Sequence, residues 1–85
     1  MKVEILRPDG VLYRSDDVVA ITLPGEKGLF TVLARHASLI SSLVEGNIKI
    51  EEAGQNGGQE KKEQLIPIKG GFVEVNKDVV SVCVK

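Results

Sequence analysis

The chain has 85 residues, with eleven Lys/Arg against twelve Asp/Glu, one Tyr (Tyr13), two Phe (Phe30, Phe72) and no Trp. That length suits one small domain over residues 1–85, and with so few aromatics its core has to come from Val, Ile and Leu. A net charge of −1 excludes the basic face of a nucleic-acid binder, and the single cysteine, Cys83, excludes an internal disulfide framework and favours a reducing, intracellular setting.

In chain order, turn signals recur at short intervals: Pro8-Asp9-Gly10, Pro24-Gly25 through Gly28, Gly46-Asn47, Gly54 to Gly58, Gly70-Gly71 and Asn76-Lys77-Asp78. The segments between them are short, rich in β-branched residues and alternate in polarity, as half-buried strands do. In the first, Val3 and Ile5 share one face while Lys2, Glu4 and Leu6 take the other. Residues 33–44 carry Leu33, Ala37, Ile40 and Val44 at helical spacing, but Ser41 and Ser42 are mediocre helix formers and no good N-cap precedes Leu33. The reading for this stretch is a short helical turn near 35–38, followed by a hairpin over about 39–52. Ile48 and Ile50 point inward from residues 47–51. The polar, glycine-rich residues 53–63 read as a long, mobile hairpin tip between strands near 46–52 and 62–68. Val80, Val82 and Val84 form one face of the last strand and Cys83 lies on the other. These patterns predict an all-β fold, a flattened antiparallel β-sandwich of about eight to ten short strands. No window approaches about 18 consecutive apolar residues, and the N-terminus lacks the basic region and apolar run of a secretory signal. The sequence reads as neither membrane-spanning nor exported by that route.

Chemistry-bearing residues are sparse. His36 is the only histidine, and neither His-x-x-x-His nor paired cysteine spacing occurs. It reads as a turn residue that packs its ring, or as a partner contact, with catalysis the weakest reading. Cys83 reads as a structural thiol. Gly70-Gly71 lacks the order of a phosphate loop and reads as positive φ, or close backbone approach, at a strand junction. The adjacent carboxylates Asp16-Asp17 and Glu51-Glu52 point to opposite faces of a strand, so neither pair makes an acid/base dyad by itself. No catalytic, cofactor or metal-ligating set emerges, and a binding or structural role is the default.

Several features occur in an ordered series: Val3-Glu4-Ile5-Leu6-x-Pro8-Asp9-Gly10, Val19-x-Ile21-Thr22-Leu23-Pro24-Gly25 with Gly28, Phe30-Thr31-Val32-Leu33-x-x-His36-Ala37-x-Leu39, then Gly70-Gly71-Phe72-Val73-Glu74-Val75 and Val79-x-Ser81-Val82. Together they resemble the N-terminal β-sandwich domain of the epsilon subunit of F-type ATP synthase. The resemblance implies a non-catalytic rotor subunit at the foot of the central stalk. Such a subunit is bound to the gamma subunit, rests on the polar loops of the c-ring, and couples proton or sodium flow to ATP synthesis. It implies peripheral attachment at the cytoplasmic face of a bacterial inner membrane, through protein contacts and without direct membrane insertion. Carried over, the ring-facing end corresponds to Glu26, Lys27, Leu29, Phe30, Arg35 and His36, with Arg7 near the end of the first strand. Where family members often have Gly before the His and Pro two residues after it, this chain has Arg35 and Ser38, a more charged and less rigid turn.

Epsilon subunits commonly continue into C-terminal helices that inhibit hydrolysis and in some bacteria bind ATP. This sequence stops at Lys85, so the expectation is a chain without the helical arm, without ATP binding and without arm-mediated inhibition. For the gamma contact, the candidate surfaces are the face bearing Val11 and Tyr13, or the rows around Leu39 and Leu43. The alternative function is an unrelated β-sandwich adaptor or carrier module, with Lys27 displayed at a tight hairpin tip.

Overall fold

The computed structural model describes residues 1–53 and 62–85. Alternating apolar residues become nine strands, β1 (Lys2–Arg7), β2 (Gly10–Ser15), β3 (Val18–Gly25), β4 (Gly28–Leu33), β5 (Leu39–Leu43), β6 (Gly46–Glu52), β7 (Lys62–Ile68), β8 (Gly71–Asn76) and β9 (Val79–Val84). They form two layers. One follows the order β2-β1-β9-β8-β5 and the other β4-β3-β6-β7, and the layers join where Gly25 of β3 pairs with Leu43 of β5. Between them lie the inward residues of each strand, including Val3, Ile5, Ile21, Leu23, Ile48, Ile50, Val73, Val80 and Val82, all with 0% exposure. Because the side-chain period is two, each inward row leaves an outward row of polar or half-exposed residues, as the alternation predicts. The result is an all-β sandwich, antiparallel throughout except that β1 and β9 run parallel.

The stretch 33–52 differs from its expected form. No helical turn forms near 35–38. The amide of His36 donates to the Leu33 carbonyl (3.2 Å) and Arg35 takes φ 65°, closing a tight turn in place of a helical one. Nor do residues 39–52 make a hairpin. β5 pairs with β8, and β6 pairs with β3 and β7, so the chain bends at Val44-Glu45 and passes from one layer to the other without reversing. Gly46 serves that bend by close approach, since a Cβ there would sit 2.9 Å from Pro24 Cβ. The pairing of β6 with β7, from Gly46↔Ile68 to Glu52↔Lys62, matches the expected hairpin arms. The tip expected between them falls almost entirely on residues 54–61, outside the described residues.

Gly70 and Gly71 act as the sequence suggests. Both have φ near +150°, and a Cβ on Gly71 would lie 2.0 Å from the Cys83 carbonyl oxygen of the neighbouring strand.

Candidate partner surface

The β3–β4 connection is built from its glycines. Gly25 pairs with Gly28 across a two-residue turn, Glu26-Lys27. Gly28 has φ 123°, and a Cβ on Gly25 would meet the Phe30 ring at 2.7 Å, so the ring folds over the backbone at this point. The tip is stitched to β5 on its other side: the Glu26 amide donates to the Ser42 carbonyl (3.1 Å) and the Val44 amide to the Pro24 carbonyl (2.9 Å). This pins the Glu26 and Lys27 backbone while both side chains stay exposed.

Below the tip lie two adjoining grooves. One is lined by Glu26, Lys27, Leu29 and Phe30 against Ile40, Ser41 and Ser42. The other is lined by Phe30, Thr31 and His36 against Leu39, Ile40 and Ser41. Leu29 and Ile40, each 74% exposed, are the most exposed large apolar residues of the described surface. His36 is exposed, and its Nδ1 donates to the Ala37 carbonyl (2.7 Å), which leaves Nε2 as the ring nitrogen available to a partner.

Five of the seven residues expected at the ring-facing end, Glu26, Lys27, Leu29, Phe30 and His36, therefore line these two adjoining grooves, which share Phe30 and Ile40. Arg35, exposed and next to His36 in the chain, lines neither groove. Its backbone amide donates to the Asp78 carboxylate, tying the β4–β5 turn to the β8–β9 turn. Arg7 is not brought to these grooves. It lies in a separate depression with Glu45, Asn47, Pro67, Lys69 and Lys85. Sequence reasoning missed Ile40, Ser41 and Ser42 because the carried-over motif stops short of them. The signal that was available is alternation, which puts Ile40 outward once Leu39 and Leu43 face in.

That alternation also corrects the apolar rows. Leu43 is buried, whereas Leu39 packs against the core and also lines the second groove. Val11 and Tyr13 do not share a face either. A bulge at Leu12 pairs Tyr13 with inward Ile5 and Val11 with outward Leu6, so Tyr13 packs on the core while Val11 is 55% exposed. An apolar row crosses the outer face of four strands instead, Val11, Leu6, Cys83 and Phe72 in paired register, and it ends at β5, where Ser42 is opposite Phe72 and Ile40 is opposite Glu74. Burial raises the pKa of the Tyr13 hydroxyl, and the nearby Glu52 carboxylate adds to the shift; the hydroxyl has no hydrogen-bond partner among the described residues.

These features define a small β-sandwich that displays a charged, glycine-framed tip and an apolar outer row. The family model for the "ATP synthase, Delta/Epsilon chain, beta-sandwich domain" matches residues 1–85, and the chain belongs to that family. It is 42% identical over 85 residues to the ATP synthase epsilon chain of Sulfurimonas denitrificans, covering 100% of this chain and 60% of that one. To the ATP synthase epsilon chain of a Campylobacter jejuni strain it is 43% identical over 82 residues, covering 96% and 58%. The chain thus spans about 60% of the length of the curated relatives it matches. Among solved structures, a chain of the Euglena gracilis mitochondrial ATP synthase (OSCP/F1/c-ring) superposes with TM-score 0.81 at 30% identity over 96% of this chain and 48% of that one. A chain from the central stalk and c-ring structure of the Tetrahymena thermophila enzyme gives TM-score 0.80 at 17% identity, over 99% of this chain and 62% of that one, and shares the fold. Family membership sets aside the alternative of an unrelated carrier module.

Proposed function

We propose that this chain is a non-catalytic central-stalk subunit of an F-type ATP synthase that bridges the gamma subunit and the c-ring and couples ion translocation to ATP synthesis. On this reading it is a peripheral protein at the cytoplasmic face of a bacterial inner membrane, held there by the complex. The observation that carries the reading is the pair of adjoining grooves lined by Glu26, Lys27, Leu29, Phe30 and His36, the residues that the resemblance assigns to the ring-facing end.

The two kinds of surface divide the work. Glu26 and Lys27, with Arg35 and His36 nearby, offer mixed charge to the polar loops of a ring, and exposed rim charges of this kind set orientation and association rate more than affinity. The apolar outer row from Val11 to Phe72 suits the gamma subunit, because an apolar row crossing four strands in register gains most when a partner removes it from water. Arg7, apart from the grooves, contacts the ring from a different part of the sandwich. A subunit in this position has to transmit torque without shearing, and both layers share one close-packed aliphatic core, which resists deformation.

The test is co-purification. A tagged full-length protein expressed in its own cells is expected to recover gamma and ring subunits, identified by mass spectrometry. Recovery of neither contradicts the assignment.

A further inference from the structure

At the end of the sandwich where β6 begins and β7 and β9 stop, the two layers part around an open mouth of about 640 Å³. Arg7, Val84 and Lys85 come to it from the five-stranded layer, and Gly46, Asn47 and Pro67 to Lys69 from the other. Its floor is apolar, since Ile68 and Val84 are buried. Its exposed rim holds three cations, Arg7, Lys69 and Lys85, against one carboxylate, Glu45, an excess of two positive charges in a chain whose net charge is −1.

The fold gathers these cations and leaves them without partners. β1 runs parallel to β9 with Leu6 opposite Cys83, which sets Arg7 beside the end of β9. The Lys85 amide donates to the Gly70 carbonyl (3.2 Å), which clamps the backbone that carries Lys85 to the junction that carries Lys69. The ion pairs among the described residues use other cations, Arg14 with Glu4 and Lys49 with Glu63. A cleft rimmed by one sign of charge over a low-dielectric floor concentrates the field and attracts the opposite sign.

We propose that this mouth is a socket for an acidic loop of the c-ring, which seats a carboxylate among Arg7, Lys69 and Lys85 and rests an apolar neighbour on Ile68 and Val84. Charge complementarity requires the acid, and the apolar floor favours a peptide loop over a bare inorganic anion, which gains nothing from burying Ile68 and Val84. The ring is the occupant because the mouth continues from the charged tip. Gly46 on its lip lies against Pro24, which leads into Glu26 and Lys27, and the Val44 amide donates to the Pro24 carbonyl (2.9 Å). A surface that meets the tip therefore reaches Arg7 at the same end of the sandwich. The inference rests on the proposed function, whose ring contact at Arg7 it makes chemically specific, and the experiment separates the two.

ATP synthase purified with the full-length protein is treated with a water-soluble carbodiimide. The reagent activates a carboxylate, an adjacent lysine amine attacks the activated carbonyl, and an isopeptide bond forms as the reagent leaves as its urea. Peptide mass spectrometry is expected to find Lys69 or Lys85 joined to an aspartate or glutamate of the ring subunit. Lys69→Arg with Lys85→Arg, which keeps the charge but removes the coupling amines, is expected to abolish those adducts. In parallel, Lys69→Glu with Lys85→Glu is expected to slow association of the free protein with immobilised purified ring at least about tenfold at low salt. If the parent recovers the ring but neither lysine couples to it, the socket is wrong and the proposed function stands. Coupling to gamma alone, or only to Glu45 of this chain, overturns the ring as occupant. So does sedimentation of the free protein with phosphatidylglycerol vesicles that the same reversal abolishes, when no ring adduct forms, because the mouth then takes a lipid headgroup. If the tagged parent recovers neither gamma nor ring, the proposed function fails and takes the inference with it.

Discussion

Two hairpins of this sandwich both turn through two residues and have opposite fates. The β8–β9 hairpin turns through Lys77 and Asp78, both with positive φ, a geometry that matches the twist of the strands it joins. Its strands are flanked on both sides, β8 by β5 and β9 by β1, and they bury Val73, Val75, Val80 and Val82. The β3–β4 hairpin also turns through two residues, but among the described residues β4 pairs on one side only, and Leu29 and Leu33 stand in solvent. A tight turn and an apolar strand thus do not by themselves mean core. What distinguishes a structural hairpin from a displayed one is whether the backbone ladder is complete on both sides.

Substitutions can break or sharpen that contrast. The largest effect is expected from Gly71→Ala at the start of β8. The added Cβ would strike the Cys83 carbonyl at a positive φ, and urea unfolding should show a loss of more than about 3 kcal/mol, or no folded protein. Gly28→Ala in the displayed hairpin meets nothing within 4 Å and suffers only the strain of φ 123°, so about 1–2 kcal/mol is expected in the same assay. A cost at Gly28 equal to that at Gly71 would erase the distinction between the hairpins.

A smaller effect is expected where the two turns meet. Asp78→Ala removes the acceptor of the Arg35 amide and also places Ala at φ 61°, costing about 1–2 kcal/mol, whereas Asp78→Asn keeps both an acceptor and tolerance of that φ and should cost less than half as much. Thermal melts of the two variants, side by side, check this.

Tyr13→Phe is expected to leave stability at pH 7 within about 1 kcal/mol of the parent, on the stabilising side, because it deletes a buried hydroxyl without a partner. Its pH dependence has a definite sign. The folded-state pKa of Tyr13 lies above 10.0, so the hydroxyl is neutral in both states below that pH and contributes no slope. Above about pH 10 the unfolded chain ionises first, and the parent loses stability that the Phe variant keeps. Unfolding curves that stay parallel for the two proteins from pH 9 to 11 would contradict this account. The smallest stability effect belongs to Leu29→Ala, within about 0.5 kcal/mol for a residue 74% exposed, and its measurable consequence should be weaker retention in the complex.

Much of this architecture was legible in the amino-acid sequence, for a simple reason. Where a strand has one buried and one solvated face, period two writes the fold directly, and Val3/Ile5, Ile48/Ile50 and Val80/Val82/Val84 all face inward as read. The bend at Val44–Gly46 was not legible as such, because glycine after a polar residue signals reversal locally, while here it answers a distant contact with Pro24. Likewise the Leu12 bulge, set by pairing with β1, flips the faces of Val11 and Tyr13. Of the site, the tip residues follow from Gly25 and Gly28, whereas the opposite wall at Ile40–Ser42 depends on a bend that only the assembled layers reveal.

The most direct test of the central claim is site-specific photo-crosslinking in the intact complex, with the photoreactive residue placed at Lys27 on the tip, at Phe72 on the outer row, or at Leu65 on the far edge. The account predicts adducts of position 27 with the ring subunit, adducts of position 72 with gamma, and no subunit adduct from position 65. Ring or gamma adducts arising from position 65, with none from 27 and 72, would contradict it.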